Sequence, residues 1–147
     1  MQYFALASDY DATLATRGRV SPATLRALSR LRHSGLRLFL VTGRRLPDLQ
    51  KVFPESGVFD WIVAANGAVI HSPSTAKTTV LGACAPPALV QRLESLGVFP
   101  LEIGESIVAT STAHSREASI AIEQLGLPHQ IIFNKESLMI LPPDVDK

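Results

Sequence analysis

An α/β fold, a parallel sheet wound with helices and joined to a smaller α+β module, is predicted by three features of the sequence. Two short apolar runs, at 3–8 and 36–41, each end in a cluster of small polar or acidic residues. The segment between them has helical spacing and is long enough for a crossover, so the two runs pair in parallel. From about residue 83 the order changes to helix, two short strands, helix, two short strands. At 147 residues, 46% of them apolar, the chain can bury one core or a core plus a small appended unit.

The elements follow in order. Ser21-Pro22 reads as an N-cap with proline at the first helical position, Leu25, Leu28 and Leu31 give the buried face, and Gly35 ends the helix. The run at 36–41 is the second strand, which completes a βαβ unit. A shorter helix is predicted over 46–53 and a third strand over 61–65. Asn66-Gly67 reads as a tight hairpin turn with the chain returning over 68–71, because both residue types tolerate positive φ. A strand near 78–81 extends that edge. In the second part, helices are predicted over 86–96 and 115–125, stopped by Gly97 and Gly126. Strands are predicted over 99–103 and 106–111, and a hairpin over 129–133 and 137–141 turns at Asn134-Lys135. The boundaries are therefore 1–82 for a Rossmann-like, doubly wound core, 83–141 for an αββαββ module, and 142–147 for a linker opened by Pro142-Pro143.

Composition narrows the function. Net charge is +1, although the first 51 residues hold nine Lys/Arg against three Asp/Glu. Four of the eight arginines there, Arg26, Arg30, Arg32 and Arg37, belong to or flank one amphipathic helix, so a solvated helix face is expected and nucleic-acid binding is not. Cys84 is the single cysteine, which precludes an internal disulfide framework. No basic segment precedes the N-terminal apolar run, and no apolar stretch approaches a membrane span. These features predict a soluble, cytoplasmic protein. His33, His71, His114 and His129 lack metal-ligand spacing.

The chemistry concentrates in two motifs. Asp9-Tyr10-Asp11-Ala12-Thr13 follows the first strand and Thr42-Gly43-Arg44 the second. Residues i and i+2 in extended chain face the same way, so Asp9 and Asp11 present two carboxylates to one site. Such a pair suits phosphoryl transfer: one carboxylate attacks phosphorus and binds a divalent cation, and the other donates and later accepts a proton. Mg²⁺, a hard cation, relieves the repulsion between carboxylates and phosphate. Thr13 can steady the loop through its hydroxyl. Thr42 offers a hydroxyl and an N–H to phosphate oxygens, and Gly43 permits close approach. Arg44 and Arg45 can reach substrate anions or simply begin a solvated helix. Either motif alone is a common loop. In order, at the strand ends of one βαβ unit, they become neighbours.

With these residues in view, the chain resembles the haloacid dehalogenase-like phosphatases. The resemblance rests on Asp9-Tyr10-Asp11-Ala12-Thr13-Leu14, on Val41-Thr42-Gly43-Arg44, on Ala65-Asn66-Gly67-Ala68 and on the stretch from Leu141 to Lys147. It implies Asp9 as nucleophile and Mg²⁺ ligand, and Asp11 as general acid/base that also offers its backbone carbonyl to the metal. It further implies Thr42, Gly43, Arg44, Thr13 and Asn66 around the phosphate or substrate, and Lys147 as the neutralising cation. The αββαββ module is similar to the cap of sugar-phosphate phosphatases acting on sucrose phosphate, trehalose phosphate or mannosyl-phosphoglycerate. In its cap position, Glu102, Glu105 and His114 are candidates for touching a sugar. Two departures stand out: Ala12 replaces a customary glycine, and the family's fourth, acidic motif is absent, Asp144 and Asp146 preceding the lysine. The expectation is the N-terminal part of a longer protein, with further domains beyond Lys147. Its expected activity is hydrolysis of small phosphorylated metabolites, sugar phosphates foremost, through an aspartyl-phosphate. The alternative is a non-catalytic ligand-binding or regulatory domain. An Asp-x-Asp nucleotide-sugar transferase would leave Thr42-Gly43-Arg44 unexplained.

Overall fold

The structure, a computed structural model, describes residues 3–134, 136–143 and 145. The chain divides after Leu81 into two compact units. The first opens with β1 (Ala5–Asp9), a small antiparallel hairpin of β2 (Ala15–Thr16) and β3 (Arg19–Val20), and α1 (Pro22–His33). It continues with β4 (Arg37–Val41), α2 (Leu46–Val52), a 3₁₀ turn at Pro54–Val58, β5 (Trp61–Ala64), β6 (Val69–Ser72) and β7 (Lys77–Val80). The sheet order is β1-β4-β5-β6-β7; β1, β4 and β5 are parallel, and β6 and β7 return antiparallel.

Local signals account for these elements. The Ser21 hydroxyl accepts the Thr24 N–H at 3.0 Å, Pro22 follows at the first helical position, and Arg30 and Arg32 place positive charge at the C-terminal end of α1. Both crossovers step the same way along the sheet, so right-handed connection puts α1 and α2 on one face. The burial pattern agrees: Leu38, Leu40, Ile62 and Ala64 are fully buried, whereas Arg37 and Trp61, of opposite parity, are exposed. Asp60, just before β5, accepts the Leu38 N–H at 2.9 Å and the Arg37 guanidinium at 3.0 Å. The backbone donor first, and then the guanidinium, hold its carboxyl below the usual range.

The β5–β6 connection differs from the predicted two-residue turn. Ala64 pairs with Val69, so four residues bridge the strands, and Ala65, Asn66 and Gly67 have φ of 51°, 49° and 99°. The loop is drawn out because the Ala65 N–H donates to the Arg44 carbonyl at 2.8 Å and the Asn66 N–H to the Thr42 carbonyl at 3.3 Å. Ala12, beyond β1, is also left-handed, with φ of 60°. This is the position where the resemblance leads one to expect glycine.

The second unit contains α3 (Pro87–Ser95), β8 (Glu102–Ile103), β9 (Val108–Ser111), α4 (Ser115–Gln124), β10 (Gln130–Asn134) and β11 (Ser137–Leu141). Its antiparallel sheet has the order β10-β11-β9-β8. Leu89 and Leu93 of α3, Ala118 and Ala121 of α4, and Val108, Leu138 and Ile140 of the sheet form one core. The strands over 99–103 and 106–111 are shorter than predicted. Proline has no N–H for a ladder, and the Pro100 carbonyl accepts instead from the Thr110 hydroxyl at 2.7 Å. The Ser106 hydroxyl donates to the Gly82 carbonyl at 2.9 Å.

Three predictions follow from packing, backbone strain and ionisation. A Cβ on Gly82 would lie 2.8 Å from a Val145 methyl carbon and 3.0 Å from the Ser106 side chain, so Gly82→Ala should cost about 1–3 kcal/mol in denaturant titration. Ala12→Gly should relieve left-handed strain worth about 1–2 kcal/mol, offset by about 0.4–1 kcal/mol of unfolded-chain entropy, for a net gain of about 1 kcal/mol. His129 has both ring nitrogens buried without a partner among the described residues, and burial lowers its pKa. The unfolded chain therefore takes up a proton there first as pH falls below about 6.5, and stability declines on the acid side. Thermal melts of His129→Leu between pH 7 and pH 5 should show a shallower decline than those of the unmodified chain.

Candidate active site

The site is organised by the register of two strands. Asp9, the last residue of β1, pairs with Val41, the last of β4, so the two following loops leave the same end of the sheet. Beyond Asp9 the chain alternates. Tyr10 turns inward and is fully buried, its ring 5.6 Å from Phe53 and its hydroxyl donating to the Gly18 carbonyl at 3.0 Å. Phe53 meets Phe59 edge-on at 6.3 Å, so the Tyr10 ring is anchored in an aromatic stack. Asp9 and Asp11 flank it and are half-buried. The Ala15 N–H closes the loop onto the Tyr10 carbonyl at 2.9 Å, and Asp11 forms a bridge with Ala15.

Two further loops, those after β4 and β5, are cross-linked around this one. Thr42 is buried; its N–H donates to the Val63 carbonyl at 2.8 Å, and its hydroxyl oxygen accepts the Arg44 N–H at 3.1 Å. That hydroxyl keeps a hydrogen to donate. The Arg44 guanidinium grips Asp11 with both arms, Nε to Oδ2 and Nη2 to Oδ1, each at 2.8 Å. Its carbon lies 5.4 Å from the Tyr10 ring centroid, within cation–π range. The Asp11 hydrogen bond is the main reason that the Arg44 pKa rises above its ordinary value. Desolvation chiefly raises that of Tyr10. The Arg44 and Thr42 carbonyls accept from Ala65 and Asn66, which brings the β5–β6 loop to the same place.

The residues singled out in the sequence fare differently. Asp11, Thr42, Arg44 and Asn66 join one bonded network, Gly43 lies within it in the chain, and Asp9 stands at its strand end. Thr13 is exposed, and the bonds that close its loop come from Tyr10 and Ala15. Lys147, Asp144 and Asp146 lie outside the described residues. Glu102 and Glu105 are exposed in the second unit, and a His114 ring nitrogen lies 3.0 Å from the Phe99 carbonyl oxygen. Sequence reasoning missed the supporting role of Tyr10, although an aromatic residue between two aspartates on an alternating chain signals an inward-facing ring. For a metal, Asp9 and Asp11 supply oxygen donors of the kind a hard cation takes. Among the described residues, no group of three or more His, Cys, Asp or Glu can hold one.

Comparison with known proteins now bears on this arrangement. Residues 6–93, more than half of the chain and including both motifs, match the family model described as haloacid dehalogenase-like hydrolase. A Bacillus subtilis protein, Phosphatase YwpJ, is 36% identical over 69 residues, a match covering 46% of this chain and 24% of that protein. The chain thus spans about a quarter of that curated relative. Among solved structures, a haloacid dehalogenase-like hydrolase from Bacteroides thetaiotaomicron superposes with a TM-score of 0.76 at 14% identity, covering 99% of this chain and 73% of its own. The subclass IIB sugar phosphatase BT4131 gives 0.70 at 15% identity, with 97% and 71% covered. The structural matches show a shared Rossmann-like α/β fold, and the sequence match through both strand-end motifs shows that this chain belongs to the haloacid dehalogenase-like hydrolases.

Proposed function

We propose that the chain carries the phosphoryl-transfer site of a Mg²⁺-dependent phosphohydrolase acting on small phosphorylated metabolites, with sugar phosphates the favoured class. The observation that carries the reading is the placement of Asp9, Asp11 and Thr42 at one end of the parallel sheet, with Asp11 and Thr42 tied to each other through Arg44. The sugar assignment draws on BT4131, named a sugar phosphatase, and on the α+β unit after Leu81, which is read as a cap.

Each residue then has one task. Asp9 attacks phosphorus through a carboxylate oxygen, and the bond to the leaving-group oxygen breaks. Asp11 gives that oxygen its proton. Water next attacks the phosphorus of the aspartyl-phosphate while Asp11 takes a proton from it, and free Asp9 and inorganic phosphate result. Thr42 donates its remaining hydroxyl hydrogen to a phosphate oxygen, and Gly43 lets the backbone approach. The Asp9 carboxylate and the Asp11 carbonyl would hold Mg²⁺, which supplies neutralisation of the charge between carboxylates and phosphate. Lys147 would add a second positive group. The cytoplasmic setting fits the lone Cys84, and no described helix is long and apolar enough to cross a membrane.

A second reading is a ligand-binding or regulatory domain without turnover, in which the same phosphate-facing groups, Thr42 and the loop after β4, hold a ligand that is not cleaved. Phosphate release from sugar phosphates and an aryl phosphate, with and without Mg²⁺, separates the two. The phosphohydrolase reading expects metal-dependent turnover that falls more than about 10³-fold in Asp9→Asn. Undiminished turnover in that variant would remove Asp9 from the nucleophile's role, and phosphate binding without turnover would establish the second reading.

A further inference from the structure

We propose that Arg44 is a positioning residue for Asp11 rather than a ligand of the substrate phosphate, an inference that rests on reading Asp11 as the proton donor. Its surroundings leave the side chain little freedom. The Nε and Nη2 edge is spent on the two Asp11 oxygens, the guanidinium lies near the buried Tyr10 ring, and the backbone N–H and carbonyl of Arg44 are bonded to Thr42 and Ala65. Turning it toward a phosphate would break both bonds of the fork.

The value of the fork is orientation more than energy. The two side chains are 31% and 36% exposed, so water screens their attraction. A planar guanidinium with two parallel bonds nevertheless fixes the carboxylate plane, which a single ammonium cannot do. Tyr10 extends that control. Its hydroxyl is tethered to Gly18 and its ring to Phe53, so the platform near Arg44 is continuous with the core. Both bonds of the fork go to the ionised carboxylate, the form that takes a proton from water; when Asp11 carries the proton it donates, the protonated oxygen leaves its arm and the other oxygen keeps its bond, so the carboxyl stays aimed.

The test compares the full chain with Arg44→Ala and Arg44→Lys, using a sugar phosphate and p-nitrophenyl phosphate. An alkoxide needs a proton as it departs and p-nitrophenolate does not. Arg44→Ala should therefore lose at least about tenfold more kcat/KM on the sugar phosphate than on the aryl ester, within the range of general-acid contributions, with KM changing less than about threefold. Arg44→Lys should not restore the loss. Equal losses on both esters, or a loss confined to KM, would overturn the proposal.

A second readout needs no turnover. In a side-chain ¹H–¹⁵N spectrum, the Arg44 Nε–H signal should shift on Asp11→Asn and stay in place when inorganic phosphate and Mg²⁺ are added. A signal that ignores Asp11→Asn or follows phosphate would overturn the proposal. Should the unmodified chain be silent on both esters, the phosphohydrolase reading fails and the spectrum alone decides the contact.

Discussion

The register of β1 against β4 is the constraint from which the site follows. With Asp9 opposite Val41, the residues after them, Tyr10 and Thr42, begin loops at the same end of the sheet. A slip of one residue would reverse the alternation, placing Tyr10 in solvent and a carboxylate in the core. Burial on one face holds the register: Leu38 and Leu40 of β4 admit no water, and neither does the Tyr10 ring. Hydrophobic packing thus sets the position of two acids that take no part in it.

Electrostatic organisation is added afterwards by longer side chains. Arg44 and Asp60 do comparable work at different places: Arg44 links the loops after β1, β4 and β5, and Asp60 ties the approach to β5 back onto β4. Neither contact is deeply buried, so each depends on geometry and on backbone partners more than on Coulomb attraction. At the site itself, the second acid of the loop is the one that the guanidinium holds.

What could be read from the sequence was whatever has a short period or a local cap. α1 is an example, with its Ser21 cap, Pro22 and leucines; the apolar run of β4 is another. The two-residue strands β2 and β3 have no period to detect. The loop at Ala65 eluded propensity because alanine rarely takes positive φ, and the bonds that hold it there, to Arg44, Thr42 and Ala68, come partly from residues distant in sequence. The candidate site was legible as two motifs, since strand ends attract function. The fork between Asp11 and Arg44 spans 33 positions, and nothing in the local sequence at either end announces it. Thr13 shows the converse, a residue of suitable type whose loop is closed by its neighbours.

The connectivity of β1, α1 and β4 bears on how the protein is made. The first acid and the far side of its loop cluster are separated by one crossover, so the chain needs only its first 44 residues to bring Asp11 and Arg44 within reach. Loop-closure entropy rises slowly with length, and the crossover between β1 and β4 is filled by one capped helix. On a ribosome emitting the chain from its N-terminus, the acidic loop can acquire its arginine before the second unit has been synthesised.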